Sequence, residues 1–196
     1  EVIVRTLEAA RARGVVVGGH PGYPDRSGFG RSPQAMSADQ VQSLVVEQVE
    51  HLANLARKVG LEVRYLKPHG ALYNQAQDEP PIAEGLVRAA VRLGLPLLGL
   101  DSSLLKKLCG ERAVPYYLEG FPDRAQTPDG RLLSRSSPGA VLHDPAAVAS
   151  LALTVASQAM HALCIHGDQD GCVPLARQVA ATLRARLPVE AQPTVL

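Results

Sequence analysis

At 196 residues, the chain suits one domain spanning positions 1–196, with room for a sizeable core. A net charge of +1, 4% aromatic residues and no tryptophan exclude an electrostatic or base-stacking case for nucleic acid or an anionic membrane as partner. No apolar run approaches the roughly 20 residues of a membrane helix. The three scattered cysteines, Cys109, Cys164 and Cys172, form neither a disulfide framework nor a four-cysteine zinc site. The expectation is a reduced, cytoplasmic globular protein.

A first amphipathic helix is predicted from Val2 to Arg13, followed by a strand at Val15–Val17 and a Gly/Pro-rich loop from Gly18 to Pro33. Ser37, with Gln40 three residues on, opens a long helix to about Val59. Val41, Leu44, Val45, Val49, Leu52 and Leu55 recur on it at helical spacing. A strand at Glu62–Leu66 ends in Lys67-Pro68, because proline removes a backbone donor and fixes φ. A helix from Pro81 to Leu93 leads to a strand at Pro96–Leu100, then Asp101, Ser102 and a short helix to Leu108. The strand Val114–Leu118 runs into a loop, Glu119 to Ser137, whose length without obvious structure marks it as functional or disordered. A helix to about Ala159, opened by Asp144 or Pro145, a strand at Ala162–Ile165 and a helix from Val173 to Arg186 complete the order. The tail from Pro188 is expected to fray. At Gly14, Gly60 and Gly94 a helix with basic last turns meets glycine and then an apolar strand, which is the αβ junction of a parallel α/β protein.

In parallel α/β folds the C-terminal strand ends share one face, so polar groups there are candidates for chemistry. After the first strand come His20, Tyr23, Asp25 and Arg31. After the second come Lys67, His69, Tyr73 and Asn74, with Gly70 relaxing the turn. Glu119, Asp123 and Arg124 follow the fourth strand, and His166, Gly167 and Asp168 the fifth. His166 and Asp168 read equally as an oriented base, as metal ligands, or as a helix cap with a bystander. Tyr23 and Tyr73 are oxyanion donors or loop anchors, and Arg124 and Arg135 are anion clamps or solvated loop charges. His51 and His161 read as packing or surface residues, and His143, beside Asp144, as part of a helix start. The chain has no phosphate loop, Rossmann glycine fingerprint or Gly-x-Ser-x-Gly elbow, so acid–base chemistry on a polar, carbonyl-like substrate remains.

Five segments together resemble the LamB/YcsF family. They are Gly19-His20-Pro21-Gly22-Tyr23-Pro24-Asp25, Gly28-Phe29-Gly30-Arg31, Lys67 to Asn74, Glu119-Gly120-Phe121-Pro122-Asp123-Arg124 and His166-Gly167-Asp168. The family is identified with the A component of the bacterial ATP-dependent 5-oxoprolinase. The resemblance implies an α/β fold, a (β/α) barrel of the glycoside hydrolase/deacetylase type. It also implies conversion of 5-oxo-L-proline to L-glutamate, driven by hydrolysis of ATP (with Mg), in a complex with 5-oxoprolinase subunits B and C. On it rest the expected catalytic residues Lys67, His69, Glu119, His166 and Asp168. Lys67 would meet an oxyanion or phosphate, and His69 and His166 would shuttle protons, oriented by Asp168 and Glu119. The expected substrate-binding residues are His20, Tyr23, Asp25, Arg31, Tyr73, Asn74, Asp123 and Arg124, with no residue assigned to a metal.

The family's front motifs, of the Asp-Leu-Asn-x-Asp-x-Gly-Glu and Gly-Phe-His-Ala-Gly-Asp types, have no counterpart here. The expectation is therefore a barrel lacking its first βα units. Gln169-Asp170-Gly171-Cys172 also departs from the family's Thr-Pro-like turn. Two other functions fit the residues: a metal-dependent amidohydrolase or deacetylase, and a non-catalytic scaffold subunit.

Overall fold

A computed structural model describes residues 1–101, 103–158 and 160–187. Ser102, the expected helix end at Ala159 and the tail from Pro188 lie outside the described residues. The chain divides into two compact units, 1–116 and 117–187. Both are α/β, made of parallel strands followed by helices.

The first unit runs α1 (Val2–Arg11), β1 (Val17–Gly19), α2 (Ala38–Lys58), β2 (Val63–Leu66), α3 (Gly70–Gln75), α4 (Pro80–Leu93), β3 (Leu97–Gly99) and α5 (Leu104–Glu111). The three strands are parallel neighbours, with Val17 opposite Val63, Gly19 opposite Leu66, and Leu66 opposite Leu97. Helix α2 begins where the sequence places it. The Ser37 hydroxyl accepts from the Gln40 N–H while the Gln40 side chain accepts from the Ser37 N–H, a reciprocal capping box. Its stripe Val41, Val45 and Val49 is fully buried against Ile82, Leu86 and Val87 of α4, with Leu66 and Leu97 in the same core. Each such side chain contributes about 1.5–3 kcal/mol relative to exposure. Gly85 permits the close approach of the two helices, since a Cβ there would lie 2.6 Å from the Ala38 carbonyl oxygen. The three junction glycines take the left-handed conformation expected of them, with φ of 63°, 73° and 65° at Gly14, Gly60 and Gly94.

Several boundaries differ from the sequence reading; the strand expected at Val114–Leu118 forms over Tyr116–Gly120 and takes in Glu119, expected beyond its end. Helix α1 stops at Arg11, and β1 forms two residues later than Val15–Val17, over its two glycines. Glycine disfavours a strand intrinsically, but here neighbouring side chains occupy the missing volume. A Cβ at Gly18 would sit 2.1 Å from the Tyr65 ring, and one at Gly19 would sit 2.9 Å from Val49.

The second unit carries β4 (Tyr116–Gly120, starting at the boundary), α6 (Pro145–Ala156), β5 (Ala162–Leu163) and α7 (Cys172–Arg186). Strands β4 and β5 are parallel, with Glu119 opposite Ala162 and Gly120 opposite Leu163. Asp144 caps α6 by accepting from the Ala146 N–H, and Val148, Ala149 and Ala152 pack on Leu175, Val179 and Leu183 of α7.

The loop from Glu119 to Ser137, expected to be functional or disordered, is tied down. Isolated antiparallel bridges join Arg124 to Val141 and Gln126 to Leu132. The buried Arg124 guanidinium donates from Nε to the Ala140 carbonyl and from Nη2 to the Leu133 carbonyl. Strand alternation cannot reveal a loop held by one side chain reaching several backbone carbonyls. Among the described residues no helix is long and apolar enough to cross a membrane.

Candidate functional site

The residues singled out in the sequence fall into two groups, one in each unit. In the first, β1 and β2 end side by side, and the chain beyond them is held by backbone contacts. The Lys67 N–H donates to the Gly19 carbonyl and the His69 N–H to the Pro21 carbonyl. His69 then starts α3 as its N-cap residue. The imidazoles of His20 and His69 meet edge to face, with centroids 4.9 Å apart, and His20 Nε2 is 3.0 Å from His69 Nδ1. The outer nitrogens each face a backbone carbonyl: His20 Nδ1 that of Lys67 at 2.6 Å, and His69 Nε2 that of Phe29 at 2.7 Å. With both ring nitrogens engaged, His69 has none open to a substrate proton in this arrangement.

Asp25 organises the loop that brings Phe29 to His69. Its carboxylate accepts from the Gly28 N–H at 2.7 Å, the Ser27 hydroxyl at 3.1 Å and the Ser32 N–H at 3.4 Å. These contacts, the Gly28 bond foremost, hold the Asp25 carboxyl below its usual range. Arg31 stacks over the Phe29 ring, its guanidinium carbon 5.0 Å from the centroid. Tyr23 is buried, and its phenol is pushed up to about 12, first by burial and then by the Glu79 carboxylate. Tyr73 is buried on α3, and Asn74, one residue on, is exposed.

Two contributors escaped the sequence reading. Gln48 of α2 donates to the Gly22 carbonyl and accepts from its N–H, fixing the backbone beside His69. A polar side chain between Val45 and Val49 on an apolar stripe was the available signal. Phe29, which aims its carbonyl at His69, stands within one of the five motifs but has no role assigned from the sequence. An open groove of ≈ 320 Å³ beside His20 is walled by Ile3, Pro21, Gln48, Val49, His51 and Leu52.

In the second unit Asp123 is fully buried and binds His166 twice. Oδ2 accepts from the His166 backbone N–H at 2.7 Å and lies 3.0 Å from Nδ1. The carboxylate therefore places the ring hydrogen on Nδ1, leaving Nε2 as the basic nitrogen. Among the described residues nothing hydrogen-bonds to Nε2. Phe121 stacks on the ring, with centroids 6.0 Å apart. The carboxylate that orients His166 thus lies 43 residues earlier in the chain. Asp168, two residues on, faces Arg135 at 3.5 Å. Glu119 is buried in β4. Cys172 Sγ lies 3.5 Å from the Gly167 carbonyl oxygen. Among the described residues no three His, Cys, Asp or Glu side chains group as metal ligands.

The sequence profile of the LamB/YcsF family matches residues 1–194. A 5-oxoprolinase A component of Pseudomonas syringae pv. tomato, the one numbered 3, is 39% identical over 92% of this chain and 77% of its own length. The 5-oxoprolinase A component of Mycobacterium avium is 40% identical over 93% and 79%. The crystal structure of the lactam utilization protein from Thermus thermophilus superposes with a TM-score of 0.84 at 32% identity, covering 93% of this chain and 79% of that one. The fold is accordingly of the α/β, (β/α)-barrel type expected from the sequence.

Proposed function

The chain belongs to the LamB/YcsF family, and on that footing we propose that it is the A component of a cytoplasmic, ATP-dependent 5-oxoprolinase. With subunits B and C it opens the lactam 5-oxo-L-proline to L-glutamate. Relatives at 39% and 40% identity carrying that component's name support the reading. The observation that carries its chemistry is the Asp123–His166 dyad.

A five-membered lactam is a resonance-stabilised amide that water attacks poorly. Ring opening needs a base for the attacking water and an acid for the departing nitrogen. His166 Nε2 takes the proton from water, and the resulting imidazolium returns it to the ring nitrogen as the C–N bond breaks. Asp123 is a positioning residue: it holds the tautomer and stabilises the imidazolium, as a buried carboxylate does for a catalytic histidine elsewhere. Lys67, at the end of β2 in the first unit, is a cation suited to a developing oxyanion or phosphate. Asp25 and Arg124 serve by shaping the loops they tie.

ATP enters this reading as co-substrate, with Mg. Four of the helix starts suit a triphosphate poorly. Ser37, Ser103 and Asp144 cap α2, α5 and α6 with their own side chains, and Glu79 sets a carboxylate at the start of α4. ATP chemistry is accordingly assigned to none of these four helix starts.

The test is 5-oxoproline-dependent glutamate formation and ATP hydrolysis by the chain combined with subunits B and C. His166→Ala should lower kcat by about 10²–10⁴-fold, and Lys67→Ala should abolish turnover. Wild-type rates in the His166 variant would remove the dyad from the mechanism. No lactam-dependent turnover from an assembled wild-type complex would refute the assignment itself.

A further inference from the structure

The contacts of His20 and His69 count their own protons. A backbone carbonyl only accepts, so His20 Nδ1 beside the Lys67 carbonyl and His69 Nε2 beside the Phe29 carbonyl must each carry hydrogen. In two neutral imidazoles those would be the only ring hydrogens. The inner nitrogens, 3.0 Å apart, would then confront each other lone pair to lone pair. A hydrogen bond at that distance needs a third proton. We propose that His20 and His69 share one proton between Nε2 and Nδ1, forming a single monocationic pair at the C-terminal ends of β1 and β2.

The clamp around the pair is rigid enough to enforce this count. Phe29 holds a positive φ of 55°, uncommon for a residue with a side chain, and in that conformation presents its carbonyl to His69. Gly30 follows with φ 68°, its N–H bound to the Asp25 carbonyl and its own carbonyl accepting from the Ala71 N–H. Glycine backbone walls the His69 ring on two sides. A Cβ at Gly30 would lie 3.0 Å from its Cδ2, and one at Gly22 would lie 3.2 Å from its Cβ. The Phe29 ring meets it edge-on, with centroids 5.3 Å apart. A ring so confined cannot turn away from its partner without moving backbone.

Among the described residues, Arg31 stacks on the Phe29 ring that meets His69, Lys67 offers its carbonyl to His20, and His51 of α2 lines the groove beside His20. The Asp25 oxygens are already committed to Gly28, Ser27 and Ser32. The pair differs in kind from Asp123–His166. That dyad leaves a basic nitrogen open, whereas this one engages all four ring nitrogens and contributes positive charge. The inference does not depend on the lactam-hydrolysing reading.

Imidazole nitrogens report their protonation through ¹⁵N shifts and two-bond ¹H–¹⁵N couplings. In the histidine-labelled chain at neutral pH, His20 and His69 should together show three protonated nitrogens. His20→Ala should remove the shared proton and move the His69 ¹⁵N signals. Should that variant fail to fold, assignment through the backbone lets the wild-type spectrum decide. Two neutral rings with one N–H each in the folded chain at neutral pH would overturn the proposal. So would His69 signals that His20→Ala leaves unmoved.

Discussion

Replacing Asp123 by Asn keeps the shape of the side chain and removes its charge. The carboxylate now accepts two hydrogen bonds from one residue, the His166 N–H and Nδ1–H, in a site with no solvent exposure. An amide oxygen can keep the backbone bond, but its NH₂ then faces Nδ1. The imidazole must answer by accepting there and carrying its hydrogen on Nε2, where the proposed base should be. The stability lost is close to one charge-assisted hydrogen bond, about 1.5–3 kcal/mol, partly offset because a charge is no longer buried. A net cost of about 1–2 kcal/mol lowers Tm by roughly 2–8 °C for a chain of this size. The effect on kcat should be far larger, about 10²–10⁴-fold, with KM little changed. Thermal melts of the isolated chain and steady-state rates of the assembled enzyme measure the two effects separately. Combining Asp123→Asn with His166→Ala should cost hardly more than His166→Ala alone, because the carboxylate acts through the ring. Multiplying penalties, or an Asn variant within a few-fold of wild-type kcat, would refute the tautomer argument.

Three further outcomes follow from the same geometry. Gly70→Ala places a side chain at φ 56° with its Cβ 2.5 Å from the Gly30 backbone oxygen. It should destabilise by about 1–3 kcal/mol or more, read as a lower urea midpoint, and an unchanged midpoint would contradict the packing. Tyr23 is raised from 10.0 to about 12 by burial first and Glu79 second. Its contribution is complete below the unfolded value and lost as pH rises through the folded one, so Tyr23→Phe should remove part of the stability loss between those values in Tm–pH profiles. The Asp25 carboxyl is lowered, chiefly by the Gly28 N–H. Its contribution is present above the ordinary aspartate range and disappears as pH falls through the folded value. Asp25→Asn should flatten the acid limb of the same profile, and a limb as steep as wild type would count against the loop-organising role.

Much of this protein was legible in the residues themselves, because the decisive physics there is local. The Ser37–Gln40 box, the Asp144 cap and the glycines at 14, 60 and 94 act within a few residues, so their spacing alone predicts where helices begin and end. The stripe on α2 and the recurring helix–glycine–strand junctions likewise dictate a parallel α/β arrangement. The five motifs that marked the family name nearly all the side chains in the two clusters.

Tertiary structure decided who partners whom. His166 takes its carboxylate from Asp123 across 43 residues, although Asp168 stands two residues away. His69 meets His20 across 49 residues and the Phe29 carbonyl across 40. Arg124 spends two donor nitrogens on its own loop. Strand β1 settles over two glycines because Tyr65, Val49 and Leu66 fill the space above them. Hydrogen-bond partners depend on distances of a few tenths of an ångström between groups far apart in the chain, and spacing along the sequence carries no record of that. Residue types and periodicity therefore determined the fold class and the cast of chemical groups. Three-dimensional packing alone decided which nitrogen is held, which stays open and which carboxylate does the holding.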